Sequence, residues 1–173
     1  MSDPFHVAVI GIDGAGKTSL ASALVDQLAP LGSVTLKSRN RHLGRRVHEA
    51  LGIAKDDENA GTVDLFSSAA FVTAVYLDMA EDLDRMADEL AAFDVVIWDR
   101  HLRCFSAHGV TQGLPVSWTR KMERLCPAPS LLLWLDVEVE ASMARLERRD
   151  AEPRETAAYL ARARAAYQGL NAS

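Results

Sequence analysis

Residues 6–29 decide the fold: His6-Val-Ala-Val-Ile-Gly11-Ile-Asp13-Gly14-Ala15-Gly16-Lys17-Thr18-Ser19, then Leu20-Ala-Ser-Ala-Leu24-Val-Asp-Gln-Leu28-Ala. The continuous apolar run over 6–12 predicts a strand buried on both faces. Leu20, Leu24 and Leu28, spaced i, i+4, i+8, predict a helix over 17–29 that Pro30 and Gly32 terminate. Between the two, Gly11 to Thr18 matches G-x-x-x-x-G-K-[ST], in the strand–loop–helix setting that a phosphate-binding P-loop requires. Glycines let the backbone turn tightly and bring its N–H groups against phosphate oxygens, and the helix N-terminus adds the positive end of a dipole. The expected nucleotide cradle is Gly11, Gly14, Ala15, Gly16, Lys17, Thr18 and Ser19. Lys17 can reach β- and γ-phosphates, and the Thr18 hydroxyl can ligate Mg²⁺. The competing reading is a glycine-rich turn without a ligand.

Working outward, apolar runs at 34–37, 94–99 and 131–137 predict further strands. Helical periodicity predicts helices at 41–51, 63–92, 115–125, 138–149 and 153–169, with an exposed acidic loop at 54–61. Alternating strands and helices imply an α/β three-layer sandwich: a parallel sheet of about four strands with helices on both faces. The 173 residues fit a single domain over 1–173.

Composition narrows the partners. There are 19 basic and 24 acidic residues, a net charge of −5, which disfavours a general nucleic-acid binder but not a small anionic ligand. The 2 cysteines cannot build a disulfide framework or a four-cysteine zinc site, so a reducing, cytoplasmic setting is expected. No signal peptide and no membrane-spanning run is expected.

Val95-Val-Ile-Trp98-Asp99-Arg100 is the second candidate site. Ligands of open α/β sheets sit at the carboxyl ends of strands, so Asp99 can face the Mg²⁺ and Arg100 can clamp an acceptor phosphate. Asp136, at the end of the 131–137 strand, competes for the metal role. Asp99 is preferred because an arginine follows it. A third feature is the arginine group Arg145, Arg148, Arg149 and Arg154, around the break before Pro153. It reads either as a mobile set of cations over a transferring phosphate or as a solvated helix face. Arg39, Arg41, Arg45 and Arg46 read equally as an acceptor site or a basic surface. His101 and His108 lie close to Arg100 in sequence, while Trp98, Trp134 and Cys104 read as packed core.

These motifs together resemble the thymidylate kinase family of P-loop nucleoside and nucleotide kinases, over about residues 5–170. Gly11-Ile-Asp13-Gly-Ala-Gly-Lys-Thr is similar to the family's G-x-[DE]-G-x-G-K-[ST]. Asp99-Arg100-His101 stands for its Asp-Arg-Tyr, with Ser106-Ala107 following. Leu133-Trp-Leu-Asp136-Val and Ala141 to Arg149 resemble its strand, helix and start of lid, with Arg154 and Tyr167 in lid and post-lid positions. The resemblance implies an ATP- and Mg²⁺-dependent phosphotransferase. Asp13 would lie near the acceptor sugar, Phe66 and Phe71 would stack on the base, and Arg39, Arg100 and His101 would face the acceptor. Arg145 would lie at the nucleotide. Arg149 and Arg154, from a lid over about 147–156, would supply catalytic cations. It also implies a homodimer packed through the long helix.

The chain departs from the family at several positions. The thymine-reading arginine is Ala70, Arg39-Asn40-Arg41 replaces Arg-Glu-Pro, His101 replaces tyrosine, and the sequence stops where the family adds a fifth strand and a helix. The expected acceptor is a nucleoside monophosphate, with the base open to nonstandard forms. The alternatives are a nucleoside or other small-molecule hydroxyl kinase, and a non-catalytic nucleotide-binding regulator.

Overall fold

The computed structural model describes residues 3–38, 68–148 and 156–172. In chain order the elements are β1 (Phe5–Gly11), α1 (Lys17–Leu28), β2 (Val34–Ser38), α2 (Ser68–Arg85), α3 (Ala87–Leu90), β3 (Val95–Asp99), α4 (Leu102–Thr111), α5 (Val116–Glu123), β4 (Leu131–Leu135), α6 (Val139–Leu146) and α7 (Ala157–Asn171). A single 3-10 turn, Ala29–Leu31, extends α1. The strands form one four-stranded sheet in the order β2-β3-β1-β4, every pair parallel. Strand β1 therefore lies between the strands that end in Asp99 and near Asp136.

Strand alternation divides β1 between two layers. Val7 and Val9 pack with Ile97 and Ala21 under α1. Ala8 points to the opposite face with Val96 and Trp98, beneath Val72, Tyr76 and Met79 of α2. Ile10 joins Leu146, Leu160, Tyr167 and Leu170 beneath α6 and α7. Val9 and Ile10 are fully buried, and burying each side chain contributes about 1.5–3 kcal/mol. This explains why residues 6–12 read as an unbroken apolar run.

All four expected strands are present, and the sheet is sandwiched as anticipated. Three details differ. The long helix breaks at Met86, and its described part starts at Ser68. The strand and helices near 131–169 are shorter, at Leu131–Leu135, Val139–Leu146 and Ala157–Asn171. Helix α4 was not anticipated at all. Leu102, Cys104, Phe105, Ser106, Ala107 and Gly109 are buried along it, so it carries no clean polar stripe for periodicity to detect. The helix expected at 41–51 and the loop at 54–61 lie outside the described residues.

Candidate active site

The P-loop leaves the carboxyl end of β1 and enters α1 through two glycines that only glycine satisfies easily. Gly16, the residue before α1, has φ 93°, in the left-handed region. Gly14 has φ +80°, and a Cβ there would lie 2.5 Å from Ser142 Oγ. Among the described residues no side chain caps the N-terminus of α1, and its first turn holds no acidic residue. Its first N–H groups are thus available to an anionic ligand.

Lys17 is 5% exposed, and its Nζ donates to the Ile12 carbonyl at 2.7 Å while standing 3.5 Å from Asp13 Oδ1. Burial, then the Arg100 charge, pull the Lys17 pKa below its usual value, against the opposing pull of Asp13. Arg100 Nη2 donates to the same Asp13 oxygen at 2.6 Å. Burial would raise the Asp13 pKa, but the adjacent Arg100 and Lys17 outweigh it and hold the carboxyl below the ordinary range. Arg100 has φ 78°, uncommon for a residue with a side chain. Such backbone strain clusters at functional sites and persists only where surroundings hold it. Here the Arg100 N–H donates to the Val9 carbonyl of β1 at 3.1 Å while the guanidinium reaches Asp13.

Asp99 ends β3 and meets the P-loop. Thr18 Oγ1 donates to Asp99 Oδ2 at 2.6 Å. The other carboxylate oxygen, Oδ1, is buried with no hydrogen-bond partner among the described residues. An unpartnered buried acceptor is costly unless a donor or cation reaches it. A hydroxyl and a carboxylate are the hard oxygen donors that Mg²⁺ takes, with phosphate and water filling the other positions. Among the described residues no cluster of three or more His, Cys, Asp or Glu could hold a metal by itself. Thr18 and Asp99 therefore fit a Mg²⁺ that arrives with a nucleotide.

The competing Asp136 is engaged elsewhere. Arg164 of α7 grips it through Nε and Nη2, at 2.6 and 3.2 Å, and also binds Glu138. His101 is 6% exposed, and burial, Arg103 and His6 push its pKa down to about 4. Its ring lines a cavity of about 70 Å³ with Arg103, Glu123, Pro127 and Leu132. The structure thus gives His101 an interior setting rather than a place among the P-loop contacts. Arg145 Nη1 donates to the carbonyls of Gly14 and Ala15, at 3.1 and 3.2 Å. Gly11 ends β1, Ala15 lies in the loop and Ser19 in the first turn of α1. Phe71 lies in the first turn of α2, and its side chain lies outside the description. Arg39, Phe66, Arg149 and Arg154 lie outside the described residues.

Two side chains at the loop were not singled out as site residues. The Ser142 hydroxyl donates to the Asp13 carbonyl, and the Tyr167 hydroxyl donates to the Gly11 carbonyl at 3.1 Å. Neither contact has a sequence signal of its own. The partners are 129 and 156 residues apart. Gly14, which admits Ser142, was the only trace.

Among the described residues, no helix is long and apolar enough to cross a membrane. The family model for thymidylate kinase matches residues 9–172. A thymidylate kinase of Xanthomonas oryzae pv. oryzae (strain PXO99A) is 31% identical over 172 residues, covering 95% of this chain and 70% of the relative. One from Xanthomonas campestris pv. campestris (strain B100) is 29% identical over 170 residues, with 95% and 70% covered. A probable thymidylate kinase of Methanococcus aeolicus is 29% identical over 142 residues, with 82% of this chain and 66% of the relative covered. With a lysine-bearing P-loop, a Thr18–Asp99 pair and this match over nearly its whole length, the chain belongs to the thymidylate kinase family and is an ATP-dependent kinase.

Proposed function

We propose that the protein transfers the γ-phosphate of ATP to a nucleoside monophosphate. The observation that carries this reading is the Asp13 carboxylate held between Arg100 and Lys17. Both cations stabilise its charged form and keep its pKa low, although burial opposes them. A monophosphate is already an anion and would draw Arg100 from Asp13, whereas a free hydroxyl offers a guanidinium no charge to pair with. The Arg100–Asp13 pair beside Lys17 therefore favours the monophosphate over the hydroxyl-kinase alternative.

In this reading Lys17 exchanges its Ile12 and Asp13 contacts for the β- and γ-phosphates. The P-loop amides and the uncapped start of α1 bind the remaining phosphate oxygens. Arg100 turns from Asp13 toward the acceptor phosphate, where a guanidinium can donate two parallel hydrogen bonds. Asp13, released, orients the acceptor sugar. Thr18 and Asp99 would hold Mg²⁺, which neutralises charge on the β- and γ-phosphates when bound. Arg149 and Arg154 would act as the lid cations. The work is positioning and charge stabilisation throughout. Ala70, where the family has an arginine, argues that the base is not read as thymine.

The test is a mass-spectrometric transfer assay with Mg-ATP, a panel of nucleoside monophosphates and free nucleosides, and Lys17→Ala as the blank. A Lys17-dependent gain of one phosphate on a monophosphate is expected, and its base is named by the same experiment. Gain on a free hydroxyl would overturn the reading.

A further inference from the structure

The carbonyls of the P-loop are as ordered as its amides are meant to be. Gly11 O accepts from Tyr167 Oη at 3.1 Å, Ile12 O from Lys17 Nζ at 2.7 Å, and Asp13 O from Ser142 Oγ. Gly14 O and Ala15 O share Arg145 Nη1, at 3.1 and 3.2 Å. Ile12 O also accepts from the Ala15 N–H at 3.2 Å, a turn within the loop, whereas the donors to the other four carbonyls come from α6 or α7, far along the chain.

A peptide unit is rigid and planar, and its C=O and N–H point in opposite directions. A donor that fixes the carbonyl of one residue therefore aims the N–H of the next residue away from itself. Glycine makes this fixation necessary. Gly14 and Gly16 allow the chain to turn, but they also allow peptide units to flip, and a flipped unit would present oxygen to an incoming phosphate.

We propose that Ser142 and Tyr167, with Arg145, form a clamp on the P-loop carbonyls that holds the Ile12, Gly14 and Gly16 amides in the phosphate-binding orientation, the Ala15 amide being taken up by the Ile12 carbonyl. Ser142 and Tyr167 are then positioning residues for phosphoryl transfer. This rests on the kinase reading above.

Two features separate the clamp from ordinary packing. Tyr167 is 3% exposed, so its hydroxyl carries a desolvation cost that a phenylalanine would avoid. Burial, with Cys104 nearby, also keeps the phenol well above its usual pKa, so it remains a donor throughout the physiological range. Second, the fit between α6 and the loop is tight. A Cβ on Gly14 would lie 2.5 Å from Ser142 Oγ and 2.7 Å from Ser142 O. The clamp is itself anchored. Tyr167 stacks on Trp134 of β4, with ring centroids 6.5 Å apart and planes at 21°. One turn later, the Leu170 carbonyl accepts from Arg103 of α4 at 2.9 Å and from Arg120 of α5 at 3.0 Å.

The experiment compares the parent with Tyr167→Phe and Ser142→Ala, each of which removes a hydroxyl and keeps the packing. Ile97→Val, a core change beneath α1, serves as a generic destabilising comparator. Mg-ATP affinity is measured by calorimetry, melting midpoints by thermal unfolding, and turnover with the acceptor found in the transfer assay. Each hydroxyl deletion should weaken Mg-ATP about tenfold and raise the ATP KM alike, because it frees a buried carbonyl. The acceptor KM should hold, and Ile97→Val should bind ATP as the parent does. Unchanged ATP affinity in both variants would overturn the clamp. So would an equal loss in Ile97→Val, or an equal rise in both KM values, since either would mark a general structural effect. A parent chain that bound no Mg-ATP would overturn the kinase reading itself, and the clamp with it.

Discussion

Strands β3 and β4 flank the same central strand, and each carries a tryptophan shortly before a carboxylate. Their ends have opposite fates. At β3, Asp99 pairs with Val9 in register and turns one oxygen to Thr18 while the other stays buried, without a partner among the described residues. At β4, Leu135 pairs with Gly11, so Asp136 falls one residue beyond the sheet, where Arg164 neutralises it. The difference is one of register and company, not of residue type. A strand-end carboxylate is left open to a cation when the register brings it beside the P-loop hydroxyl and no arginine claims it. Arg100 strengthens the contrast: it follows Asp99 directly, yet its left-handed backbone sends its side chain to Asp13 instead.

The largest effect expected from this contrast is on turnover. Asp99→Asn should lower kcat by about 10²–10³, the usual result of removing one group that stabilises developing charge. Asp136→Asn should stay within about twofold of the parent, as expected for an exposed ion pair.

The next effect concerns acid stability. His101, just past the β3 end, has its folded-state pKa lowered from 6.5 to about 4. Between those values the unfolded chain binds the extra proton, so stability falls as pH drops from 6.5 toward 4. The loss should total about 3 kcal/mol. His101→Gln should flatten that part of a denaturation profile measured across the same pH window.

A smaller effect follows from the Arg100 backbone. Because its φ is 78°, Arg100→Gly should be more stable than Arg100→Ala by about 1 kcal/mol in urea unfolding, while both lose acceptor binding. Equal stabilities would mean that the left-handed conformation is not costly here. At the β4 end, Arg164→Ala should leave ATP and acceptor KM values unchanged, because its carboxylate partners lie outside the phosphate contacts.

Much of this was legible in the sequence because the physics was local. The strands announced themselves as apolar runs, since a parallel sheet covered on both faces has no polar side to display. The P-loop was legible because phosphate binding demands glycine, lysine and a hydroxyl at fixed spacing. For Asp99 against Asp136 the sequence offered only the neighbouring arginine as a reason, and what each carboxylate contacts, Thr18 in one case and Arg164 in the other, was not legible in it. Helix α4 was not legible, because it is enclosed by α2, α5 and α7 and lacks a solvent face. The interior setting of His101 was hidden for a related reason: a histidine beside an arginine in sequence reads as part of the same site. Ser142 and Tyr167 were illegible as donors to the loop, because hydrogen bonds spanning 129 and 156 residues leave no local pattern.

The central claim, that the β3 end and the P-loop hydroxyl together make the metal-nucleotide site, is tested most directly by calorimetric ATP binding with and without Mg²⁺. The parent, Asp99→Asn and Asp136→Asn would be compared side by side. The account predicts that Mg²⁺ strengthens ATP binding in the parent and in Asp136→Asn, and that this enhancement is lost in Asp99→Asn. Enhancement that survives in Asp99→Asn and disappears in Asp136→Asn would contradict it.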